Sequence, residues 1–348
     1  MTIKQHNHSW GQNLINCVYQ LTSSGNINLK YEELNFENKV IVKPRYMSIC
    51  HADQRYYRGK RPQNILKKKL PMALIHECCG VVLKDYSSTF ETGTSVVMIP
   101  NVISKISQNG IFENYQEGSS FLSSGVDGFM KELVVLDSNR LVPFESKNEH
   151  VFAITELLSV AVHAVKRFTS NSHETFEKIA IFGDGSVGFL TSLALKTIIP
   201  SSKIFVIGRH EEKLARFSFV DETFINLPDI KFDHAFECTG GSGSTDAIDK
   251  IINHIRPQGT TILMGVSEEK IQINVRDILE KGLIFIGSSR SGYEDFKLAT
   301  EFLENDSFNK RVSNIISIGS KVDSINSIHK TFENVLNVPF KLIFEWNL

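Results

Sequence analysis

The sequence predicts a two-domain α/β protein that combines a β-rich domain with a domain built on a parallel sheet. A chain of 348 residues is longer than one hydrophobic core usually serves, which favours two domains. Up to about Glu145 the sequence shows short β-rich runs broken by turn residues, which is typical of antiparallel strands. After Phe176 the apolar runs become continuous and alternate with helix-length segments, as in parallel strands with crossover helices.

The β-rich domain is predicted to follow a polar N-terminal segment, residues 1–16, that we expect to be a loose extension. Its runs KVIVKPRYMS, CCGVVL, TSVVMIP and ELVVL favour an antiparallel, partly open barrel. The C-terminal segment ends in the strand-like run FKLIFEW, so the chain is expected to return to this domain. We therefore assign residues 17–152 and 291–348 to the β-rich domain and residues 153–290 to the parallel-sheet domain.

Composition and charge exclude several classes of partner. The chain has 38 basic and 39 acidic side chains, so neither nucleic acid nor an anionic membrane is expected as a partner. Its five cysteines are odd in number and scattered, which favours a reducing compartment over a disulfide framework. The sequence shows no secretory signal and no apolar run long enough to span a bilayer. We expect a cytoplasmic protein without membrane attachment.

A glycine-rich loop opens the parallel-sheet domain. In KIAIFGDGSVGFL, Gly183, Gly185 and Gly188 follow a buried strand and precede an apolar-periodic helix. In this context the glycines let backbone N–H groups at the helix N-terminus approach a pyrophosphate. The loop therefore predicts a Rossmann dinucleotide-binding domain, although glycines at the same spacing also occur in ordinary turns.

The end of the next strand indicates which dinucleotide is bound. Enzymes that use NAD normally carry an acid there for the ribose 2′-hydroxyl, but this sequence has Gly208 followed by Arg209. A glycine leaves room for a 2′-phosphate and an arginine supplies the opposite charge. The pattern favours NADP(H), the alternative being that Arg209 lies on an exposed strand end.

Cysteine, histidine and glutamate side chains suggest a metal site. Cys50 lies in SICHADQ, His76 and Glu77 lie in LIHECCG, and Glu156 is the one carboxylate of the apolar stretch ITELLSVAVHA. Burying an isolated carboxylate costs several kcal/mol unless it is compensated. Three protein ligands and an open position suit a catalytic zinc, which would neutralise a thiolate and a carboxylate. The alternatives are core packing for the cysteine and histidine, and a helix N-terminal position for Glu156.

These segments resemble the zinc-dependent medium-chain dehydrogenases/reductases over nearly the whole chain. The resemblance rests on SICHADQRYYRG, LPMALIHECCGVV, DGFMKELVVLDSNRLVP, ITELLSVAVHAV, IFGDGSVG, HAFECTGG and KGLIFIGSSRSG. It implies a GroES-like catalytic domain beside the Rossmann domain, and the run ELLSVAVHA resembles the polyol-dehydrogenase branch. On this resemblance the zinc ligands are Cys50, His76 and Glu156. It also implies that Glu77 is an exchangeable ligand with a catalytic role, that Asp53 is the partner of His76, and that Ser186, Val187 and Cys238 contact the cofactor.

A narrower resemblance is to the ribulose-5-phosphate reductases. It rests on MSICHADQRYYRGKRP, KKKLPMALIHE, SSGVDGFM, FSFVDE, FDHAFECTGG and GSSRSG. It implies zinc-dependent, NADPH-linked reduction of D-ribulose 5-phosphate to D-ribitol 5-phosphate, which supplies CDP-ribitol for teichoic acids or capsules. It also implies a homodimer or larger assembly and an association with the cytidylyltransferase of the pathway.

Two positions depart from the broader family. Many zinc dehydrogenases hold a second, structural zinc in a four-cysteine lobe, but the corresponding segment IPNVISKISQNGIFENYQEG contains no cysteine. We therefore expect one zinc per chain. Ala52 replaces the serine or threonine that passes the substrate proton outward in alcohol dehydrogenases. A water, Glu77 or a substrate hydroxyl must take that role.

A sugar phosphate also needs a cationic group for its dianion, and arginine suits this best. The run QRYYRGKRP offers several basic residues after the first zinc ligand, and GSSRSG offers Arg290. We favour Arg55 and Arg290, with Tyr56 as a further substrate residue matched to the polyol branch. For each of them the alternative is an ordinary exposed surface position. His163, on the same apolar helix as Glu156, is predicted to be a packed core residue.

Two other functions remain possible on the sequence. The first is an NAD(H)-linked polyol dehydrogenase that acts on an unphosphorylated substrate, against which the missing acid at 208–209 argues. The second is a non-catalytic subunit that binds NADPH as a scaffold, against which the retention of the metal ligands argues. Cofactor preference and metal content distinguish them.

Overall fold

The computed structural model describes residues 14–103, 110–268 and 270–348. Residues 1–13 of the predicted extension lie outside the described residues, and the first strand begins at Ile15, before the predicted end of the extension at residue 16. Within the described residues, no helix combines the length and the apolar character that crossing a membrane requires.

The β-rich part contains short strands and two short helices, followed much later by two returning strands. The strands are β1 Ile15–Ser23, β2 Asn26–Glu33, β3 Val40–Ser48, β4 Met72–Ala73, β5 Glu77–Asp85, β6 Ser95–Met98, β7 Asn101–Val102, β8 Ser120–Phe121, β9 Val134–Leu136 and β10 Leu141–Pro143. The helices are α1 His51–Tyr57 and α2 Gln63–Lys69. Short 3-10 helices cover Glu113–Tyr115, Ser138–Arg140 and Glu149–Ile154.

The parallel-sheet part alternates strands and helices as the sequence predicts. After α3 Thr155–Asn171 come the strands β11 Lys178–Phe182, β12 Lys203–Ile207, β13 Glu222–Phe224, β14 His234–Glu237, β15 Thr260–Leu263 and β16 Ile284–Gly287. The helices among and after them are α4 Ser186–Ile198, α5 Glu211–Leu214, α6 Gly243–His254, α7 Val275–Lys281, α8 Tyr293–Glu304 and α9 Asp306–Ser313. The chain ends with β17 Ile316–Ile318, α10 Ile325–Asn334, a 3-10 helix Val335–Asn337 and β18 Lys341–Glu345.

The main sheet of the β-rich part has the order β10-β6-β5-β3-β18-β17, with β9 also paired to β3. Strand β18 lies antiparallel to β3, so the C-terminal run does return to the first domain. The register places Ser48 opposite both Glu77 and Ile343. This brings the end of β3, the start of β5 and the start of β18 to one corner of the sheet.

The second sheet has the order β13-β12-β11-β14-β15-β16, and all of its strands are parallel. Strand β11 lies at the centre, where Ile181 pairs with Val206 on one side and Phe236 on the other. The strand order reverses at β11, because β12 and β13 follow on one side of it and β14, β15 and β16 on the other. In doubly wound folds, ligands bind at the carboxyl ends of the strands where the order reverses. This confirms the predicted combination of a β-rich domain and a Rossmann domain.

One hydrophobic core joins the two parts. Helix α3 is buried along most of its length. The hydrophobic core around it contains Cys79 and Val97 from the first sheet together with Ile181 from the second. Phe144 and Phe152, just before α3, are stacked with ring centroids 3.9 Å apart. Helix α8 also belongs to this core through Phe296 and Leu303, within the segment that the sequence assigns to the β-rich domain. The predicted domain boundaries stay a prediction.

Candidate functional site

Three of the predicted metal-site residues meet at the corner of the β-rich sheet. Cys50 directly precedes α1, and His76 and Glu77 lead into β5. One ligand atom of each, Cys50 Sγ, a His76 ring nitrogen and a Glu77 carboxylate oxygen, lies within 4.8 Å of the other two. His76 and Glu77 are buried and Cys50 is half-buried. A sulfur, a nitrogen and a carboxylate oxygen at this separation fit a zinc ion.

Asp53 supports this group from α1. Its Oδ2 lies 3.4 Å from Nδ1 of His76 and accepts a hydrogen bond from the Cys50 amide at 3.2 Å. Its Oδ1 accepts from Ser123 Oγ at 2.5 Å and from the Ile75 amide at 3.1 Å. Burial opposes ionisation of Asp53, but the neighbouring His76 charge and these hydrogen bonds keep its pKa below the ordinary value. An ionised Asp53 beside Nδ1 leaves the other ring nitrogen of His76 for a metal.

The backbone before His76 is held in an unusual conformation. Ile75 has a φ of 71°, in the left-handed region that branched side chains rarely adopt. Its amide donates to Asp53 and its carbonyl accepts from the Phe129 amide at 2.8 Å. Gly128 passes so close that a Cβ there would lie 2.4 Å from the Ile75 carbonyl oxygen. Strained backbone of this kind is typical of functional sites, where the surrounding contacts fix it.

Lys341, which the sequence reasoning missed, pairs with Glu77. Its Nζ donates to Glu77 Oε1 at 2.6 Å, and both side chains are buried. Burial opposes the lysine charge, but Glu77 and Cys50 raise the Lys341 pKa above its ordinary value. Glu77 Oε2 has no hydrogen-bond partner among the described residues, so this oxygen is free to bind a metal.

Glu156 lies beside this group rather than within it. The carboxylate is buried in the first turn of α3 and interacts electrostatically with His76 and Glu77, but it is not among the atoms within 4.8 Å of one another. Burial raises its pKa to about 7. A divalent cation would have the opposite effect, because it favours the carboxylate form. The assignment of Glu156 as the third zinc ligand stays a prediction, and Glu77 is the carboxylate that completes the observed group.

The glycine loop lines a cleft of about 820 Å³ that also reaches the metal group. Gly183 has a φ of 131°, and a Cβ on Gly188 would lie 2.0 Å from the Gly183 carbonyl oxygen. Only glycine fits this close approach of the loop to α4. Of the predicted cofactor residues, those that line the cleft are Gly183, Gly185, Ser186, Val187, Gly208, Arg209 and Cys238. Cys50 and Lys341 line the same cleft, so a dinucleotide bound there would extend toward the metal group.

An acidic residue of the glycine loop, Asp184, lies against the turn after β12, where the adenosine ribose would bind. Asp184, inside the glycine loop, accepts hydrogen bonds through Oδ2 from the amides of Arg209 and His210 at 2.7 and 2.8 Å. A Cβ on Gly208 would lie 2.5 Å from the Asp184 Cβ, so the glycine is required by packing. The turn that follows β12 is therefore fixed by Asp184, while the Arg209 side chain remains exposed at the cleft.

The predicted substrate residues differ in whether a carboxylate already pairs with their charge. Arg55 forms an ion pair with Glu268 at 2.7 Å, and Arg61 binds the same carboxylate at 2.5 Å. Tyr56 is buried beneath the Arg61 guanidinium, which lies 4.9 Å from its ring centroid. Arg290 has no carboxylate within ion-pair distance among the described residues. Arg290 therefore differs from Arg55 and Arg61 in that its guanidinium forms no ion pair with a described residue.

Three residues near the site are buried in the core, as the sequence predicts for His163. Cys78 and Cys79 lie in β5 with almost no exposed surface, and His163 is fully enclosed. His163 Nδ1 lies 2.8 Å from Asp295, and its Nε2 lies 3.3 Å from Asn114 Nδ2. Both ring nitrogens of His163 therefore lie within hydrogen-bond distance of a buried partner.

Comparison with known proteins places both domains in known families. Residues 37–146 match the family described as the alcohol dehydrogenase GroES-like domain, and residues 150–338 match the family described as the glucose dehydrogenase C-terminus. The ribulose-5-phosphate reductase of Streptococcus pneumoniae is 49% identical over 340 residues, which cover 96% of this chain and 98% of that protein. Ribulose-5-phosphate reductase 1 of Staphylococcus aureus is 41% identical, with 96% of this chain and 99% of that protein covered. Among solved structures, Staphylococcus aureus TarJ in complex with NADPH is similar with a TM-score of 0.85 and 38% identity, covering 96% of this chain and 100% of that one.

Removal of the Asp53 charge is expected to weaken zinc binding. The substitution Asp53→Asn keeps the shape of the side chain but removes the carboxylate beside His76, so we expect zinc affinity to fall about 10- to 100-fold. Competition with a chromophoric chelator measures this affinity. The exposed Asp137→Asn is the matched control and should bind zinc as the wild type does. Equal zinc affinity in Asp53→Asn and the control would contradict the role given to Asp53.

Proposed function

The chain belongs to the zinc-dependent medium-chain dehydrogenases/reductases, and on that premise we propose that it reduces D-ribulose 5-phosphate to D-ribitol 5-phosphate with NADPH. The observation that carries this proposal is a cleft lined both by the glycine loop and by Cys50, whose sulfur lies within 4.8 Å of a ligand atom of His76 and of Glu77. Relatives of that activity, 41 to 49% identical over almost the whole chain, support the choice of substrate. The NADPH-bound relative supports the choice of cofactor.

When bound, zinc supplies a Lewis acid for the ketone oxygen and NADPH supplies the hydride. Cys50 and His76 would hold the metal together with a carboxylate, for which Glu77 and Glu156 are both available. Lys341 fixes one oxygen of Glu77 and leaves the other for the metal. The glycine loop fixes the position of the cofactor phosphates, so that the reacting groups are held together rather than meeting by diffusion.

Arg290 is the residue best placed to bind the substrate phosphate. Its guanidinium lies 4.9 Å from the centroid of the Phe121 ring, and Phe121 packs against the His76 ring at 5.2 Å. Burial lowers the Arg290 pKa from its very high ordinary value, and the residue remains a cation at neutral pH. Glu156 interacts with Arg290 electrostatically but forms no ion pair with it, so a half-buried guanidinium without a direct carboxylate contact is left to bind a dianion. Arg55 would first have to release Glu268, and Tyr56 would contact substrate only after Arg61 moves.

The proposal also covers the cellular location of the enzyme and its protein partners. All five cysteines are free thiols, in keeping with work in the cytoplasm, where NADPH is available. Leu279 and Ile284, on α7 and the edge strand β16, are exposed apolar residues that favour pairing of two chains through the Rossmann domains. Association with the cytidylyltransferase that consumes the product is part of the proposal, as is the supply of CDP-ribitol for a teichoic acid or a capsule.

The proposed activity predicts the outcome of a direct assay. The purified protein should oxidise NADPH rapidly with ribulose 5-phosphate and slowly with ribulose or with NADH. Chelation of zinc should abolish turnover, because the Lewis acid is then lost. Absorbance at the nicotinamide band measures each rate.

The same assay distinguishes the alternatives. Rapid turnover with NADH and an unphosphorylated polyol or ketose would replace the proposal with an NAD(H)-linked polyol dehydrogenase. A protein that binds NADPH but holds no zinc and turns over neither substrate would indicate a scaffold subunit.

Arg209 is expected to determine the preference for NADPH. The substitution Arg209→Ala removes the exposed cation at the cleft, so the KM for NADPH should rise about 10- to 100-fold, as expected for loss of a charge-assisted hydrogen bond. The KM for NADH should stay nearly unchanged, because NADH lacks the 2′-phosphate. Parallel steady-state measurements with both cofactors test this. An equal rise for both would mean that Arg209 does not contact the 2′-phosphate.

A further inference from the structure

The turn that carries Arg290 has an unusual backbone conformation. Arg290 has a φ of 57°, in the left-handed region that residues other than glycine rarely adopt. Such a conformation persists only where the surrounding contacts fix it. The side chain that this turn presents is Arg290, which stacks on Phe121, interacts electrostatically with Glu156 and has no carboxylate within ion-pair distance among the described residues.

The side chains of Asn101, Asn114 and Tyr115 bind the backbone on both sides of Arg290. On its N-terminal side, Asn114 Nδ2 donates to the Ser289 carbonyl at 3.0 Å and Tyr115 Oη accepts from the Ser289 amide at 3.1 Å. On its C-terminal side, Asn101 donates to the Ser291 carbonyl. One connection of the β-rich domain therefore fixes both flanks of a turn in the other part of the chain.

The side chains that bind the turn are themselves anchored. Arg167 donates to Tyr115 Oη at 3.0 Å and also to the Gly287 carbonyl at 2.5 Å. Asn114 is buried against His163, which is held by Asp295. Asp295 in turn accepts from the Gly292 amide at 3.0 Å. Movement of the turn would break several of these hydrogen bonds together.

We propose that Asn114 and Tyr115 are positioning residues that fix Arg290 for the phosphate group of the substrate. This inference rests on the proposed function, since it requires a phosphorylated substrate. An arginine binds phosphate through two parallel N–H donors, and that geometry tolerates little displacement of the guanidinium. The contacts to the Ser289 amide and carbonyl set the direction in which the next residue, Arg290, leaves the backbone.

The test uses the full-length holoenzyme and the conservative variant Tyr115→Phe, which removes only the hydroxyl that accepts hydrogen bonds from the Ser289 amide and from Arg167. We expect the KM for ribulose 5-phosphate to rise about 3- to 10-fold, because loss of the hydroxyl loosens the Ser289 side of the turn. The kcat and the KM for NADPH should stay within about twofold of the wild type. Asn114→Ala should act in the same direction, and calorimetric binding of D-ribitol 5-phosphate should show the same loss of affinity. Tyr86→Phe, at an exposed tyrosine stacked on Phe36, is the matched control and should change nothing.

The decisive comparison repeats Tyr115→Phe in an Arg290→Ala background. If Tyr115 acts through Arg290, the second substitution adds no further rise in KM to that of Arg290→Ala alone. An equal additional rise in that background, or an equal rise in the KM for NADPH, would overturn the inference in favour of a general structural role. An unchanged KM in Arg290→Ala would overturn it as well, while leaving the proposed reaction intact. Failure of the proposed function itself would appear in the wild type, as absence of turnover with ribulose 5-phosphate.

Discussion

The structure depends on a concentration of buried charge at the junction of its two domains. Asp53, Glu77 and Glu156 are all buried around His76, and each isolated buried carboxylate would cost several kcal/mol. Lys341 offsets one of them. A divalent cation offsets the remainder, and the donors that face one another here, a thiolate, an imidazole and a carboxylate, are those that zinc prefers. A metal bound here would therefore serve the stability of the junction as well as the chemistry.

The topology explains how these charges meet. Strands β3, β5 and β18 are neighbours, and their register brings Cys50, Glu77 and Lys341 to one corner although the lysine is 264 residues from its glutamate partner. Helix α3 delivers Glu156 from the other side and belongs to the core that joins the domains. The cofactor cleft opens onto the same corner. A hydride donor and a polarised carbonyl can meet only where the two domains meet, so the packing of the junction controls the reaction geometry.

Local patterns in the sequence were enough to predict the two-domain fold and part of the candidate site. The glycine loop, the continuous apolar strands and the return of FKLIFEW to the first domain follow from periodicity, and donor chemistry draws attention to Cys50 and His76. Glu77 enters as an exchangeable ligand only through the resemblance to the family, and the structure brings it together with those two residues. A lone charge in an apolar run drew attention to Glu156, and the same reasoning applied to FKLIFEW would have found Lys341.

Other features depend on contacts between distant segments and leave no local pattern. Asp184 fixes the turn after β12, and Glu268 compensates Arg55, yet neither pairing can be read from spacing. The support of Arg290 by Asn114 and Tyr115 likewise joins segments about 175 residues apart. Such contacts follow from domain packing, which a single sequence does not specify residue by residue.

The most direct test of the central claim is X-ray absorption at the zinc edge of the purified protein, combined with metal analysis. We expect one zinc per chain with a single sulfur at about 2.3 Å and nitrogen or oxygen ligands at about 2.0–2.2 Å. The sulfur contribution should disappear in Cys50→Ser. Several sulfur ligands, a second zinc, or an unchanged spectrum in Cys50→Ser would contradict the claim that Cys50, His76 and a buried carboxylate hold the catalytic metal.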